Sequence, residues 1–377
     1  MDRLFDGFSW HGPSTIAVLD GVVRGVEAAR AGRAPTGLTA VPGLIDAHVH
    51  LFPGYLQRLP YFGVTAAVDM FCTPGVARAL CEESGAFFVT AGVGATVPGG
   101  HPHQLAGGAY EPFPSLRAED SPEEFVRARQ AEGSAFLKVF VEDGSLAGVA
   151  LPTLSSRRLR DLCLAAHDHG MTVVAHAPTA TTAALAIESG VDGLAHAVIA
   201  VDAVARADVV DALRARDVFV VTTLSATASL CGVRVADTLT ASPIGALIGP
   251  RWRAYLDRLA CAQPRRAEWE AALAFVAEAN DRGVRLLAGT DAAFPGVVPG
   301  AALHCELELL TACGLDATAA LRAATSAVAA AFDLGERGEI RPGAMADLVL
   351  LRGDPSVDVT ATRRPASVII GGASVHS

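Results

Sequence analysis

Short valine-rich apolar runs alternate along most of the sequence with longer segments of helical pattern, and this alternation limits the possible folds. We predict strands at roughly 41–47, 64–69, 86–91, 136–141, 171–176, 191–196, 218–223 and 285–290. Helical patterns lie between them, at roughly 121–132, 155–169, 179–189, 202–216, 251–282 and 299–313. Eight strands alternating with helices predict an α/β fold, the (β/α)8 TIM barrel. An open doubly wound sheet is the alternative, although the glycine fingerprint that usually follows its first strand is missing.

The two ends of the chain follow a different pattern. Residues 1–40 contain short glycine-rich segments, and the C-terminal end adds two apolar runs at 347–351 and 366–370. Neither end is long enough to complete a sheet alone. We therefore predict one small β-sandwich domain built from both termini, residues 1–40 and 335–377, beside a barrel at 41–334.

The composition excludes several classes of protein. Apolar residues make up 51% of the chain and charged residues 19%, which is enough for a large buried core. A net charge of −10 argues against a nucleic-acid partner.

No long uncharged apolar run or signal-like segment is visible, so we expect no membrane association. The seven cysteines form no CxxC pair, which favours a reducing, cytoplasmic location. A homo-oligomer remains open.

Potential metal ligands stand at the carboxyl ends of the predicted strands. His48 and His50 end the first strand, and because side chains alternate along a strand, both imidazoles point the same way. His176, His196 and Asp291 end the fifth, sixth and eighth strands. In a barrel these strand ends form the catalytic rim. The combined pattern predicts a site for divalent metal ions.

Lys138 lies in the predicted fourth strand and is the only lysine among the 30 basic residues of the chain. Arginine fills every other basic position. A position that keeps lysine can be one that needs an amine, which a guanidinium cannot replace. Drift toward arginine would leave the same pattern, so the residue alone does not decide between the two explanations.

Six segments of the chain form a specific set. They are PGLIDAHVHL at 42–51, GVTAAVD at 63–69, VVAHA at 173–177, GLAHA at 193–197, GTDA at 289–292 and GEIRPGAMADLVLL at 338–351. Together with the Lys138 strand they resemble the amidohydrolase superfamily, and within it the imidazolonepropionase and prolidase-like branch. The resemblance covers nearly the whole chain from about residue 40. It implies a metal-bearing (β/α)8 barrel beside a small β-sandwich.

The resemblance also implies roles for the rim residues. His48 and His50, with Asp291, would bind one divalent metal ion, and zinc is the expected metal. His176 and His196 would bind a second ion.

Lys138 would react with CO2, and the resulting carbamate would bridge both ions. Burial favours this reaction because it lowers the pKa of an amine, and only the neutral amine is carbamylated. A one-metal version without this bridge is the alternative.

A mechanism follows from these roles as a hypothesis. Water held between the ions loses a proton near neutral pH, and the hydroxide attacks a substrate carbonyl. Asp291 orients the hydroxide, takes its proton and passes it to the leaving nitrogen. The predicted function is therefore hydrolysis of an amide, lactam or related C–N bond in a small-molecule substrate.

The loop after the third strand supplies candidate substrate contacts. The resemblance implies that His101, in the sequence GGH, faces the substrate carbonyl and takes part in catalysis. His103 and Tyr110 are further candidates from the same loop, and a surface turn rich in glycine and proline is the alternative explanation. Relatives often carry a tyrosine soon after a PTL element, whereas here none follows the Thr222–Leu224 sequence TTL closely.

Two other functions compete with amide hydrolysis. The same metal rim could support a deaminase, lactonase or phosphotriesterase-like reaction. Ring deaminases of this superfamily usually place glutamate three residues after the fifth-strand histidine, where this chain has Thr179. A non-catalytic relative acting as a binding protein is the second alternative, although such relatives typically lose metal ligands and this chain has the full set.

Overall fold

Strands from both ends of the chain pair in one sheet. The computed structural model describes residues 1–30, 32, 34–105 and 112–375. The N-terminal strands are β1 Arg3–Phe5, β2 Trp10–His11, β3 Ser14–Leu19, β4 Val22–Ala28 and β5 Leu38–Pro42. The C-terminal strands are β14 Leu348–Arg352, β15 Pro365–Ile370 and β16 Ala373–Ser374. Six of them form a sheet in the order β16-β15-β14-β5-β1-β2, and β3 and β4 form an antiparallel hairpin. Leu4 and Leu348 of the sheet and Ile16 and Val26 of the hairpin share one apolar cluster.

Eight more strands lie between these ends, each at a position where the sequence predicts one. They are β6 Leu44–Val49, β7 Val64–Asp69, β8 Phe87–Thr90, β9 Leu137–Phe140, β10 Val173–His176, β11 Gly193–Leu194, β12 Phe219–Val221 and β13 Leu286–Leu287. All pair in parallel, in one sheet of order β6-β7-β8 and another of order β13-β12-β11-β10-β9. The fold is therefore mixed α/β.

The described residues do not show the predicted single closed barrel, because the two sheets are not one continuous ladder. Isolated parallel bridges join their edges, between Val49 and Ala292 and between Ala95 and Val139. Gly92 and Asp291 separate the bridging residues Ala95 and Ala292 from the ends of β8 and β13. Both have positive φ, +62° and +58°, which a regular strand cannot contain. The ladders therefore stop before these points of contact.

The helices cover the strands and bury their apolar faces against them. They are α1 Pro74–Cys81, α2 Pro122–Ala131, α3 Ser156–Asp168, α4 Ala180–Ser189, α5 Ala203–Ala215, α6 Leu224–Leu230, α7 Asp237–Thr240, α8 Pro250–Leu256, α9 Arg266–Asp281, α10 Ala302–Ala312, α11 Ala317–Ala323 and α12 Ser326–Ala331. Side-chain caps explain several starts, since Ser121, Ser155 and Asp202 each accept a backbone N–H of the first turn. None of the helices in the described part of the chain is long and apolar enough to cross a membrane.

Two predicted elements were wrong in extent. The strand at 41–47 is divided at Gly43, so that β5 pairs with β14 while β6 pairs with β7. A side chain at Gly43 would lie 1.9 Å from the Thr65 hydroxyl oxygen, so the division requires glycine. The helix at 251–282 is two helices, α8 and α9. Pro264 lies in the gap between them, and a proline disfavours helical geometry in the residue before it.

His304 of α10 makes stability depend on pH. It is fully buried, with Nδ1 3.0 Å from the Thr362 hydroxyl and Nε2 2.9 Å from the Phe62 carbonyl oxygen. Burial lowers the pKa of its imidazole to about 4, from an ordinary value of 6.5. The unfolded chain binds a proton at this imidazole at a higher pH than the folded protein does. The contribution of His304 to the free energy of unfolding is therefore fully present above pH 6.5 and is lost as the pH falls toward 4.

We therefore expect the free energy of unfolding of the wild type to fall by about 2 kcal/mol more than that of His304→Gln between pH 7 and pH 5. Urea titrations of both proteins at the two pH values measure this difference. Equal losses in the two proteins would show that His304 is not the titrating group.

Candidate metal centre

The carboxylate of Asp291 contacts histidines from the ends of two strands, β6 and β11. Its Oδ1 lies 3.2 Å from Nε2 of His48 and 3.1 Å from Nε2 of His50, and its Oδ2 lies 4.0 Å from Nδ1 of His196. The Asp291 N–H donates to the His48 carbonyl at 2.8 Å, which fixes this geometry despite the positive φ. These contacts and the buried imidazoles hold the pKa of Asp291 well below its usual range, although burial opposes this.

His48 carries the observation that tests whether a metal ion fits. Its Nδ1 lies 2.9 Å from the Ala195 carbonyl oxygen, which can only accept, so Nδ1 holds the proton. Burial lowers the pKa of the ring to about 4, so it is neutral and Nε2 keeps a lone pair. Nε2 is buried, makes no hydrogen bond and faces a carboxylate oxygen. Two electron-pair donors in contact are the arrangement that a cation stabilises.

His176 and His196 form the second half of the centre. Nδ1 of His176 lies 2.9 Å from Nε2 of His196, and Nδ1 of His196 lies 3.0 Å from the Thr223 hydroxyl. On its other side, Nε2 of His176 lies 3.2 Å from Oε2 of Glu142. Burial is the main cause that lowers the pKa of His196 well below its ordinary value, and the neighbouring His176 and His48 rings act in the same direction. One donor atom each from His48, His196 and Asp291 lie within 4.8 Å of one another, a spacing that could hold a metal ion.

Lys138 lies on β9, which pairs with β10, the strand that ends at His176. Its side chain is only 1% exposed, and it lines the same cavity as the four histidines. Burial lowers the pKa of its amine to about 7, while Asp291 and Asp69 act in the opposite direction. A substantial fraction of the amine is therefore neutral at neutral pH.

Two buried carboxylates hold the backbone behind the rim. Asp46 accepts hydrogen bonds from the His48 N–H and from both the N–H and the hydroxyl of Thr290. Asp69 accepts hydrogen bonds from the Leu51 N–H and from the Thr90 hydroxyl. Burial raises the pKa of Asp46 to about 7. The Asp46 bonds tie β6 to the segment that carries Asp291, and the Asp69 bonds tie the end of β7 to the residues that follow β6 and to β8.

The rim opens into a cavity of about 510 Å³, a size suited to a small molecule. Its lining residues are His48, His50, Phe52, Phe71, His101, Pro102, Leu105, Lys138, Phe140, His176, His196, Tyr255, Ala260, Asp291, Ala293, Phe294 and Pro295. The structure thus brings together all six predicted metal ligands and His101.

The three predicted substrate contacts lie in different places. The His101 ring stacks on the His176 ring, with centroids 4.5 Å apart. His103 points elsewhere, with its ring 4.6 Å from that of Phe113 and its Nδ1 3.0 Å from the Gly100 carbonyl. His103 is not among the described residues that line the cavity. Tyr110 lies outside the described residues.

Sequence reasoning missed three residues of the centre. Glu142 follows Lys138 and Phe140 at alternate positions, so the strand period of two was a signal that it would face the same side. Thr223 has a positive φ of +43°, which no sequence pattern announces. Tyr255 lines the cavity from α8, within the segment predicted as one long helix.

Thr179 stands at the position where ring deaminases of the superfamily usually have glutamate. In this structure it caps α4, because its side chain accepts a hydrogen bond from the Thr182 N–H.

The comparisons with known proteins agree with this geometry. Residues 39–375 match the amidohydrolase family. Among solved structures, a Xaa-Pro dipeptidase with methionine bound in its active site superposes with a TM-score of 0.75 at 21% identity, covering 99% of this chain and 98% of that one. The A. niger ochratoxinase gives 0.75 at 18% identity, covering 99% and 94%. The bottromycin amidohydrolase gives 0.72 at 26% identity, covering 99% and 85%. A search of curated proteins returned no significant match.

The chain therefore belongs to the amidohydrolase family. Its likeness to a dipeptidase structure at 21% identity shows a shared fold, and the prolidase-like branch stays a prediction. It is an enzyme of the type that acts on amide or other C–N bonds.

Proposed function

We propose that the protein is a metal-dependent hydrolase of an amide, lactam or related C–N bond in a small molecule. The observation that carries the proposal is the lone-pair nitrogen of His48, buried against the Asp291 carboxylate at the inner end of the cavity. The structural relatives that are a dipeptidase and an amidohydrolase support the choice of a C–N bond.

The donor set supports two divalent ions, with zinc preferred because the ligands are imidazoles and carboxylates. His48, His50 and Asp291 would hold one ion, and His176 and His196 the other. Bound metal supplies a hydroxide nucleophile near neutral pH and polarises the substrate carbonyl. A single ion on the first set is the simpler version of the same site.

Lys138 would bridge the two ions as a carbamate. Its neutral Nζ adds to the carbon of CO2, a C–N bond forms, and one N–H proton is released to water. The product carries one negative charge on two oxygens, which suits a position between two cations. Burial of Lys138 and its pKa of about 7 support this reaction because they supply the neutral amine.

Asp291 would move the proton in the reaction. Its carboxylate is ionised, since its pKa lies well below the usual range, and it faces the cavity beside three imidazoles. It can accept the proton of the nucleophile and deliver it to the leaving nitrogen. His101, whose ring stacks on that of His176, would contact the substrate carbonyl.

The overall architecture belongs to the same proposal. We infer that the two parallel sheets, whose edges are joined by isolated bridges, together form one (β/α)8 barrel over residues 41–334. The six-stranded terminal sheet and the β3–β4 hairpin would then form the β-sandwich domain.

Metal removal tests the proposed function. Protein purified without chelators is expected to contain about two equivalents of zinc or a similar ion by elemental analysis. Stripping the metal should abolish hydrolysis of a panel of amides and lactams, and adding zinc should restore it. Zinc should also raise the melting temperature of the stripped protein, and this rise should be much smaller in His48→Ala. Metal-free purified protein that zinc neither stabilises nor activates would overturn the proposal.

A further inference from the structure

The walls of the cavity differ sharply from its buried end. The metal-ligand histidines, Lys138 and Asp291 lie together at one end. Around them the described lining is mostly aromatic or aliphatic, with Phe52, Phe71, Phe294 and Leu105 as its large members. Two polar side chains remain. The Tyr255 hydroxyl donates to the Ala293 carbonyl at 2.6 Å, and Nδ1 of His101 accepts from the Gln104 side-chain amide at 2.6 Å. The walls therefore offer a substrate apolar contact and few polar partners.

Outside the buried end, the described lining residues include no lysine or arginine that could pair with a substrate carboxylate. Lys138 is the only lysine of the chain, and no arginine is among the described residues that line the cavity. Arg258 lies over the Tyr255 ring, 5.6 Å from its centroid, but it is exposed and outside the lining.

An unpaired carboxylate in such a pocket is unfavourable. Moving an ionised group from water to an apolar wall costs several kcal/mol unless it is paired. The charges of any bound metal ions would be engaged with their ligands and the scissile group, at the buried end of the cavity. Leu105, by contrast, is 43% exposed and marks the open end. Among the described lining residues, a carboxylate beside the scissile bond would meet mostly apolar side chains and the His101 imidazole, whose pKa burial lowers well below its ordinary value.

We propose that the pocket selects neutral amides flanked by aromatic or other apolar groups, and rejects substrates that carry a free carboxylate next to the scissile bond. This inference rests on the proposed function and deepens it by naming the substrate class. It separates the chain from a carboxypeptidase-like or dipeptidase-like activity, in which a free terminal carboxylate must be recognised.

A matched pair of probes tests the inference. N-benzoyl-phenethylamine and N-benzoyl-phenylalanine contain the same amide bond and differ only in a carboxylate. The metal-loaded enzyme should hydrolyse the neutral probe with a kcat/KM at least about 100-fold higher, since an unpaired buried charge is strongly disfavoured. Equal rates, or faster hydrolysis of the acid, would overturn the inference while leaving the proposed function intact.

A variant at the open end provides the reverse test. Leu105→Arg adds a cation at an exposed position and should raise the relative kcat/KM of the acid at least about tenfold, because the carboxylate gains a partner. Leu105→Gln, similar in size but uncharged, should keep the neutral probe preferred. The same gain in both variants would contradict the electrostatic argument.

Binding separates this inference from the proposed function. Calorimetry with metal-loaded Asp291→Asn should detect the neutral probe and show much weaker binding of the acid. If neither probe is hydrolysed by the wild type, the proposed function loses its support, but the binding preference still decides the inference. Absence of binding by both probes, or preference for the acid, would overturn it.

Discussion

Asp291→Asn is expected to lower kcat/KM for amide hydrolysis by at least about 10³-fold. The carboxylate lies 3.2 Å and 3.1 Å from the Nε2 atoms of His48 and His50, facing the cavity in which the substrate must sit. An amide cannot accept and return a proton at neutral pH. The variant therefore keeps the shape of the site and loses the group that moves the proton.

Metal content distinguishes this explanation from simple loss of the centre. The asparagine oxygen remains a ligand and both histidines stay in place, so elemental analysis should find most of the metal in Asp291→Asn. Asp208→Asn is the matched control, because Asp208 is exposed on α5 and is not among the described residues that line the cavity. Activity within tenfold of the wild type in Asp291→Asn would show that another group carries the proton.

Lys138→Met should reduce the metal content by about one equivalent and lower kcat/KM by about 10³-fold. Methionine fills a similar volume in the buried position on β9, but it cannot react with CO2 or supply an anionic ligand. Lys138→Arg should be equally inactive, because its guanidinium remains charged and is not carbamylated.

Two further measurements show whether Lys138 acts through a carbamate. Labelling with ¹³C-bicarbonate should give a carbonyl NMR signal in the wild type that is absent from Lys138→Met. In Lys138→Ala, which leaves space in the site, added acetate should restore part of the activity by supplying the missing carboxylate. Full metal content and activity in Lys138→Met would rule out the bridging role.

Periodicity and spacing were sufficient to locate the parallel strands. All eight strands lie where apolar runs predict them, because a strand covered by helices on its outer face must be apolar on both sides. The rim residues were predictable for a related reason. Parallel strands end at the same edge, so His176, His196 and Asp291 are brought together although they are far apart in sequence.

The errors arose where a single residue changes the backbone. Gly43 permits the chain to leave one sheet and enter another inside the predicted strand. The Pro42–Gly43 pair is a turn signal, but the apolar residues on both sides of it look like one strand. Pro264 divides a pattern that otherwise looks like one long helix. The left-handed conformations at Thr223 and Asp291 depend on tertiary hydrogen bonds, so local propensity could not predict them.

The centre was predictable as a set of ligands but not as an electrostatic environment. The pKa of Lys138 depends on how deeply the amine is buried, which only the packed structure defines. Glu142 became recognisable as a neighbour of His176 once β9 and β10 were paired in register. The number of ions and the modification of Lys138 stay predictions.

The passage from β5 to β6 through Gly43 has a practical consequence for protein engineering. Only one residue separates a strand clamped between β1 and β14 from the strand that presents His48 and His50. Trimming the first forty residues, or splicing a foreign sequence in front of Leu44, would leave that strand without its anchor. Minimal versions of this catalyst should therefore retain both extremities of the polypeptide.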